Sequence, residues 1–174
     1  NNSIEFGSNI ISDVKNIPIH CNIIFFCLPT HNEVKSVISD MRENLNETHI
    51  LIDCTSSDCS VQKEIYNDLI ESNIYFFDAP VSGGPEKAFT GELTCMVGGN
   101  RNKFIEIESV LKTISNPIYV GDIGNGCAIK SINNILNVSH LCLASEALQS
   151  LSDLGIDKKV ALEVINKSSG KSLM

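Results

Sequence analysis

The sequence predicts an α/β protein, with a doubly wound, largely parallel sheet carrying helices on both faces, then one long helix and the opening of an all-α region. Three observations predict this. From Asn22 to Val120, short apolar runs alternate with longer amphipathic stretches, the pattern of strands joined through crossover helices. The glycine-rich stretch Gly121-Asp122-Ile123-Gly124-Asn125-Gly126 closes that regime, and no strand signal follows it. The stretch from Cys127 to Leu154 is then mostly apolar over about seven turns, longer than a typical globular helix.

The elements follow in order. Asn22 to Cys27 reads as a buried strand. Glu33 to Asn44 reads as a helix, opened by the capping-box pattern Thr30-His31-Asn32-Glu33. Ile50 to Asp53 is a second strand, Val61 to Ser72 a helix, and Ile74 to Phe77 a third strand running into a turn with two glycines. Thr94 to Val97 is a fourth strand, closed by Gly98-Gly99. Asn102 to Thr113 is a helix and Ile118 to Val120 the last strand. The first half of the long helix is apolar almost all round, which predicts that it is sandwiched between other elements. Gly155 ends it, and Asp157 caps a further helix that runs to about Lys167. Two spans result, 1–125 and 126–174.

Composition narrows the function. The net charge is −8 and basic residues are scattered singly, which excludes a nucleic-acid surface built on clustered Lys and Arg. No apolar run approaches membrane-span length, so no membrane partner is expected. The seven cysteines contain no C-x-x-C pair and sit mostly in apolar runs, so they read as buried reduced thiols of an intracellular protein. The four histidines have no metal-ligand spacing, and no metal site is expected.

Two features carry chemistry. Lys130 is the only charged residue between Cys127 and Glu146, set among Ile129, Ile132, Ile135 and Leu136. An ammonium there requires a partner or a task, unless it snorkels to solvent. Asn133 and Asn134 follow about one turn on, at the spacing that shares a helical face. Upstream, Ser82-Gly83-Gly84 follows a strand and offers backbone N–H groups without side-chain bulk. Strand ends are where open α/β sheets bind ligands, and Leu28-Pro29-Thr30 and Cys54-Thr55-Ser56 occupy two more of them. Turn formation and helix capping account for each of these segments singly.

Together the residues resemble a known family. Phe77-Asp78-Ala79-Pro80-Val81-Ser82-Gly83-Gly84-Pro85, with Ala88, Gly91, Leu93, Thr94 and Met96-Val97-Gly98-Gly99, resembles the substrate-loop signature of the β-hydroxyacid dehydrogenases, the 3-hydroxyisobutyrate dehydrogenase family. Gly124-x-Gly126 followed by Lys130-Ser131-Ile132-Asn133-Asn134 is similar to its lysine motif. Leu28-Pro29 and Asp53-x-x-Ser56 are similar to its cofactor-contacting strand ends. Ser145-Glu146-Ala147-Leu148, Gly155-Ile156-Asp157 and Asn166-Lys167-Ser168-Ser169-Gly170 match its helical domain.

The resemblance implies a Rossmann-type sheet, a remainder of an NAD(P)-binding domain over 1–125, and an interdomain helix with the start of an all-α domain over 126–174. It implies an oxidoreductase that uses NAD or NADP. Lys130 would be the acid/base, Ser82, Gly83, Gly84 and Asn134 would bind substrate, and Leu28, Pro29 and Ser56 would lie along the cofactor. The expected substrate is 3-hydroxyisobutyrate, and the alternatives are reduction of glyoxylate, succinic semialdehyde or tartronate semialdehyde. A non-catalytic dinucleotide-binding scaffold would be marked by loss of the lysine, yet Lys130 and Asn134 are both present. The 6-phosphogluconate dehydrogenase relatives share the Ser-Gly-Gly loop but place a His-Asn pair after the lysine and a glutamate downstream. Asn133-Asn134 and Asn137 stand here instead, against a sugar-phosphate substrate.

There is no G-x-G-x-x-G in the sequence. The family carries that pyrophosphate-binding turn on its first strand, so the chain reads as an internal fragment, with the turn expected before Asn1 and further helices after Met174. These residues alone are expected to be a poor enzyme, with an exposed apolar face on the long helix. A full-length protein is expected to be a homo-oligomer in the cytoplasm or, alternatively, the mitochondrial matrix.

Overall fold

The structure, a computed structural model, describes residues 8–171. The chain divides between Lys130 and Ser131 into two compact units. The ends of the two expected spans, 1–7 and 172–174, lie outside the described residues.

In the first unit, a 3-10 turn at Val14–Asn16 and the short helix α1 (Ile17–His20) precede the first strand of the series. Strands β1 (Ile23–Phe26), β2 (Ile50–Asp53) and β3 (Tyr75–Asp78) alternate with helices α2 (His31–Met41) and α3 (Cys59–Ile70). The three strands pair in parallel, in the order β1-β2-β3. Every residue of β2 is buried, as a central parallel strand covered on both faces requires. Alternation along the strands builds two cores. Phe26, Leu51 and Phe76 pack with Val34, Ile38 and Met41 of α2 and with Ile65 and Leu69 of α3. On the opposite face Ile52, Phe77 and Val97 pack with Phe104, Ile107 and Leu111 of α5 (Arg101–Leu111).

Helix starts follow the local chemistry. The Thr30 hydroxyl accepts from the Asn32 N–H (3.1 Å) and donates to the Glu33 carboxylate, so α2 begins at His31, two residues before the expected Glu33. Bonding to Thr30 holds Glu33 below the usual carboxylate range. Asp58 and Asn100 cap α3 and α5 in the same manner.

The sheet is largely parallel, as expected, with a short antiparallel part that the sequence did not show. After β3 the chain passes Pro80 into β4 (Val81–Ser82), the helix α4 (Gly84–Thr90) and β5 (Leu93–Gly98). Asp78 pairs with Gly98, Val81 with Cys95 and Ser82 with Thr94, all antiparallel and all in one register. Residues 78–82 and 94–98 are therefore the arms of one interrupted hairpin, with α4 at its tip. A connection closed by a seven-residue helix and the left-handed Gly91 returns the chain beside its own outgoing arm. Strand β6 (Ser115–Gly121) then adds to β5 in parallel. The sequence showed α4 only as a glycine-bearing turn, since a seven-residue helix with no buried residue leaves too little periodicity to read.

Helix α6 (Asn125–Asp153) crosses the division between the units, and α7 (Lys158–Asn166) follows. Left-handed Gly155 closes α6 with Ile156 N–H donating to Leu151 C=O (3.0 Å), and Asp157 caps α7 through the N–H groups of Lys159 and Val160. Ala161 is the only buried residue among described residues 131–171. Ile132, Ile135, Leu141 and Leu143 are exposed, the apolar face expected of these residues alone, and among the described residues of its own unit α6 has α7 as its helical neighbour. No helix among the described residues is long and apolar enough to cross a membrane.

Candidate active site

The carboxyl ends of β1 and β2 are tied together by a buried carboxylate. Asp53 accepts the Thr55 N–H (2.8 Å) and the Gln62 Nε2 amide (2.7 Å). The Thr55 hydroxyl in turn accepts the Leu28 N–H at 3.1 Å. Leu28 is thereby fixed half-buried, while Pro29 and Ser56 stand exposed beside it in sequence. Ser57 Oγ and Gln62 Oε1 are buried without a partner among the described residues. Apolar contact from Leu28 and Pro29 with a hydroxyl from Ser56 fits one face of a dinucleotide. These residues could hold that face. The glycine-rich turn that would receive a pyrophosphate is not part of the sequence.

A second buried carboxylate ties the end of β3 to the start of α6. Asp78 closes β3 and is fully buried. Its Oδ1 accepts the Gly124 N–H at 2.8 Å and its Oδ2 the Cys127 N–H at 2.7 Å. The Cys127 N–H belongs to the opening turn of α6, which a helix cannot satisfy by itself, and the Gly124 N–H to the residue just before it. Burial pushes the Asp78 carboxyl up to about 6, and the N–H donors of Cys127 and Gly124 pull it back down. Glycine is required on both sides of this joint. A Cβ on Gly98 would stand 2.3 Å from Asp78 Oδ1, and one on Gly126 2.2 Å from the Met96 carbonyl oxygen.

Of the expected site residues, Ser82 is half-buried at the end of β4, and Gly83 and Gly84 are exposed after it. Gly83 has φ 141° and Gly84 φ 77°, conformations that favour glycine. A Cβ on Gly83 would also press on Lys87 and Leu93. Lys130 is half-buried on α6, three residues beyond the Asp78-bound Cys127. Asn134 lies four residues further along the same helix, exposed, in the second unit. The structure thus joins Leu28 to the end of β2, and Asp78, four residues before Ser82, to the turn before Lys130. Gln62 was missed in the sequence, and Asp53 and Thr55 appeared there only inside strand-end segments, without the hydrogen bonds that tie them together. Thr55 bonds across the strand ends, next to the exposed Ser56. Asp78 appeared only inside a motif, although an acid ending the apolar run Ile74-Tyr75-Phe76-Phe77 is the same signal that singled out Lys130.

All seven cysteines are unpaired: Cys95 and Cys127 are buried, Cys27 and Cys142 exposed, and the rest intermediate. Burial pushes the Cys95 thiol up to about 11 and the Cys127 thiol to about 12. They are thiols and not thiolates at neutral pH.

Residues 2–124 match the family described as the NAD binding domain of 6-phosphogluconate dehydrogenase, and residues 124–174 match the NAD-binding domain of NADP-dependent 3-hydroxyisobutyrate dehydrogenase. The mitochondrial 3-hydroxyisobutyrate dehydrogenase of Homo sapiens is 32% identical over 171 residues, covering 96% of this chain and 51% of that protein. The 2-(hydroxymethyl)glutarate dehydrogenase of Eubacterium barkeri is 33% identical over 170 residues, covering 95% and 56% respectively. The chain therefore spans about half the length of the curated relatives it matches. Among solved structures, the Mycobacterium tuberculosis 3-hydroxyisobutyrate dehydrogenase with L-serine superposes with a TM-score of 0.87 at 24% identity, over 93% of this chain and 56% of that one. The Salmonella typhimurium 3-hydroxyisobutyrate dehydrogenase gives 0.77 at 25% identity, over 94% and 58%.

Proposed function

Because the chain belongs to the β-hydroxyacid dehydrogenase family, in its 3-hydroxyisobutyrate dehydrogenase-like branch, we propose that it serves an NAD(P)-dependent oxidation of a short β-hydroxy acid, 3-hydroxyisobutyrate first, to its semialdehyde. The cofactor, NAD or NADP, supplies or removes the hydride when bound. Leu28, Pro29 and Ser56 line it at the ends of β1 and β2. Ser82, Gly83 and Gly84 receive the substrate carboxylate with a hydroxyl and bare backbone N–H groups. Asn134 holds the reacting oxygen. Lys130 takes the hydroxyl proton at Nζ during oxidation and returns it during reduction.

The observation that carries this reading is the Asp78 joint, which bonds the segment leading into Ser82-Gly83-Gly84 to the helical turn before Lys130. The placement of both arginines supports a carboxylate substrate over a phosphate. Arg42 bonds Ser72 and pairs with Asp68, and Arg101 lies 4.6 Å over the Tyr119 ring. Seven unpaired thiols support a reducing, intracellular setting, in the cytoplasm or, like the named human relative, in mitochondria. A full-length protein assembles as a homo-oligomer in this reading, which light scattering checks.

In the full-length enzyme, Lys130→Met is expected to lower kcat by about 10²- to 10⁴-fold with little change in cofactor affinity. Near-normal turnover overturns the assignment. Initial rates over a substrate panel test the other half. The acid should be oxidised, and its methyl ester and 6-phosphogluconate ignored. Equal kcat/KM for acid and ester removes the carboxylate role of Ser82-Gly83-Gly84, and Ser82→Ala should mainly raise KM.

A further inference from the structure

We propose that Asp78 is the positioning residue of this site: its carboxylate fixes the first turn of α6 against the end of β3 and thereby holds Lys130 in its working place relative to the Ser82-Gly83-Gly84 loop. The inference rests on the reading of Lys130 as the proton-transfer group.

Three observations carry it. The first is connectivity. Asp78 and Ser82 lie on one arm of a hairpin whose register is unbroken, so a constraint at Asp78 is passed on to the loop. On the other side, the Cys127 N–H that binds Asp78 Oδ2 lies one helical turn before Lys130. The second is the lack of slack. Backbone and carboxylate approach so closely at Gly98 and Gly126 that a single methyl group on either would have to displace the joint. The third is the choice of a carboxylate. Two N–H groups point at two different oxygens of one side chain. An amide in the same place has one acceptor oxygen and would turn its NH₂ toward one of the two donors. An apolar residue would escape the desolvation that raises the Asp78 carboxyl, but it would leave both N–H groups unsatisfied.

Asp78 touches neither substrate nor cofactor in this account, so its signature is kinetic and distinct from that of an acid/base group. In the full-length enzyme, Asp78→Asn is expected to lower kcat roughly 10- to 100-fold, the range for a reacting group moved by about 1 Å, with the KM for cofactor within about twofold. Gly126→Ala displaces the same turn with Asp78 intact and should give the same split between kcat and KM. Lys130→Met is measured in parallel. If Lys130→Met keeps its turnover, the reading of Lys130 fails. If Lys130→Met loses turnover while a folded Asp78→Asn or Gly126→Ala keeps wild-type kcat, the positioning role fails. Should neither joint variant fold, amide exchange in the wild-type protein decides. Protected N–H groups at both Gly124 and Cys127 support the role, and rapid exchange at either overturns it.

Discussion

The two units treat similar apolar side chains in opposite ways. In the α/β unit, Phe76 is 1% exposed and lies between a strand neighbour and two helices. In the helical unit, Ile135 is 60% exposed and Leu141 68%. A sheet presents two broad faces, and helices on both sides close them within about 130 residues. A pair of helices can shield only one strip of each partner, so a helix that is apolar all round leaves most of its surface uncovered. In this chain, which spans about half the length of the curated relatives it matches, similar apolar side chains are thus covered in one unit and exposed in the other.

The largest test of this contrast is a core truncation. Phe76→Ala should destabilise the α/β unit by about 3–5 kcal/mol in urea unfolding, since it removes a ring packed on every side. A loss below about 1 kcal/mol would mean that the unit does not depend on its own core.

Asp78 gives the next effect, through pH. Its carboxyl stands near 6 in the folded chain against an ordinary 3.8. As pH falls from 6 toward 4, the native state binds a proton that the unfolded state does not, and stability rises. As pH climbs through 6, that contribution is lost. The slope is worth on the order of 2–3 kcal/mol over the window and should be absent in Asp78→Asn. Thermal melts of both proteins at several pH values measure it. Parallel slopes in the two would remove Asp78 as the source.

A smaller effect is expected in the helical unit. Asp157→Ala removes the cap on two N–H groups of α7 and should cost about 0.5–2 kcal/mol, read as faster amide exchange in the first turn of that helix. The smallest expected effect is Leu141→Ala, within about 0.5 kcal/mol, because the side chain has little burial to lose. A change near 3 kcal/mol on urea unfolding would show that Leu141 is covered in solution.

Much of the α/β unit was legible because its signals are local. Alternating apolar runs, the cap at Thr30 and the glycine-bearing turns each act within a few residues. The reversal of β5 was not legible, because strand direction depends on a pairing between Asp78 and Gly98 that no local pattern announces. For the same reason the sequence drew attention to Lys130 and Ser82-Gly83-Gly84, which are conspicuous by composition, passed over Gln62, and showed Asp53 and Thr55 without their bonding. Those three do their work by hydrogen bonds to one another and to Leu28 across the strand ends.

The single-register hairpin also bears on how the chain folds. Its arms pair residues close in sequence, so it can form on the microsecond timescale of about 1–10 μs known for hairpins. The bonds from Asp78 to Gly124 and Cys127 close loops of 46 and 49 residues and must wait for α5 and β6 to be laid down between them. The joint should therefore be absent from the folding transition state. Asp78→Asn should accelerate unfolding and leave the refolding rate nearly unchanged in stopped-flow measurements. The chain would acquire the Ser82-Gly83-Gly84 loop early and the placement of Lys130 last, so a partly folded molecule holds the loop before the long helix is set against the end of β3.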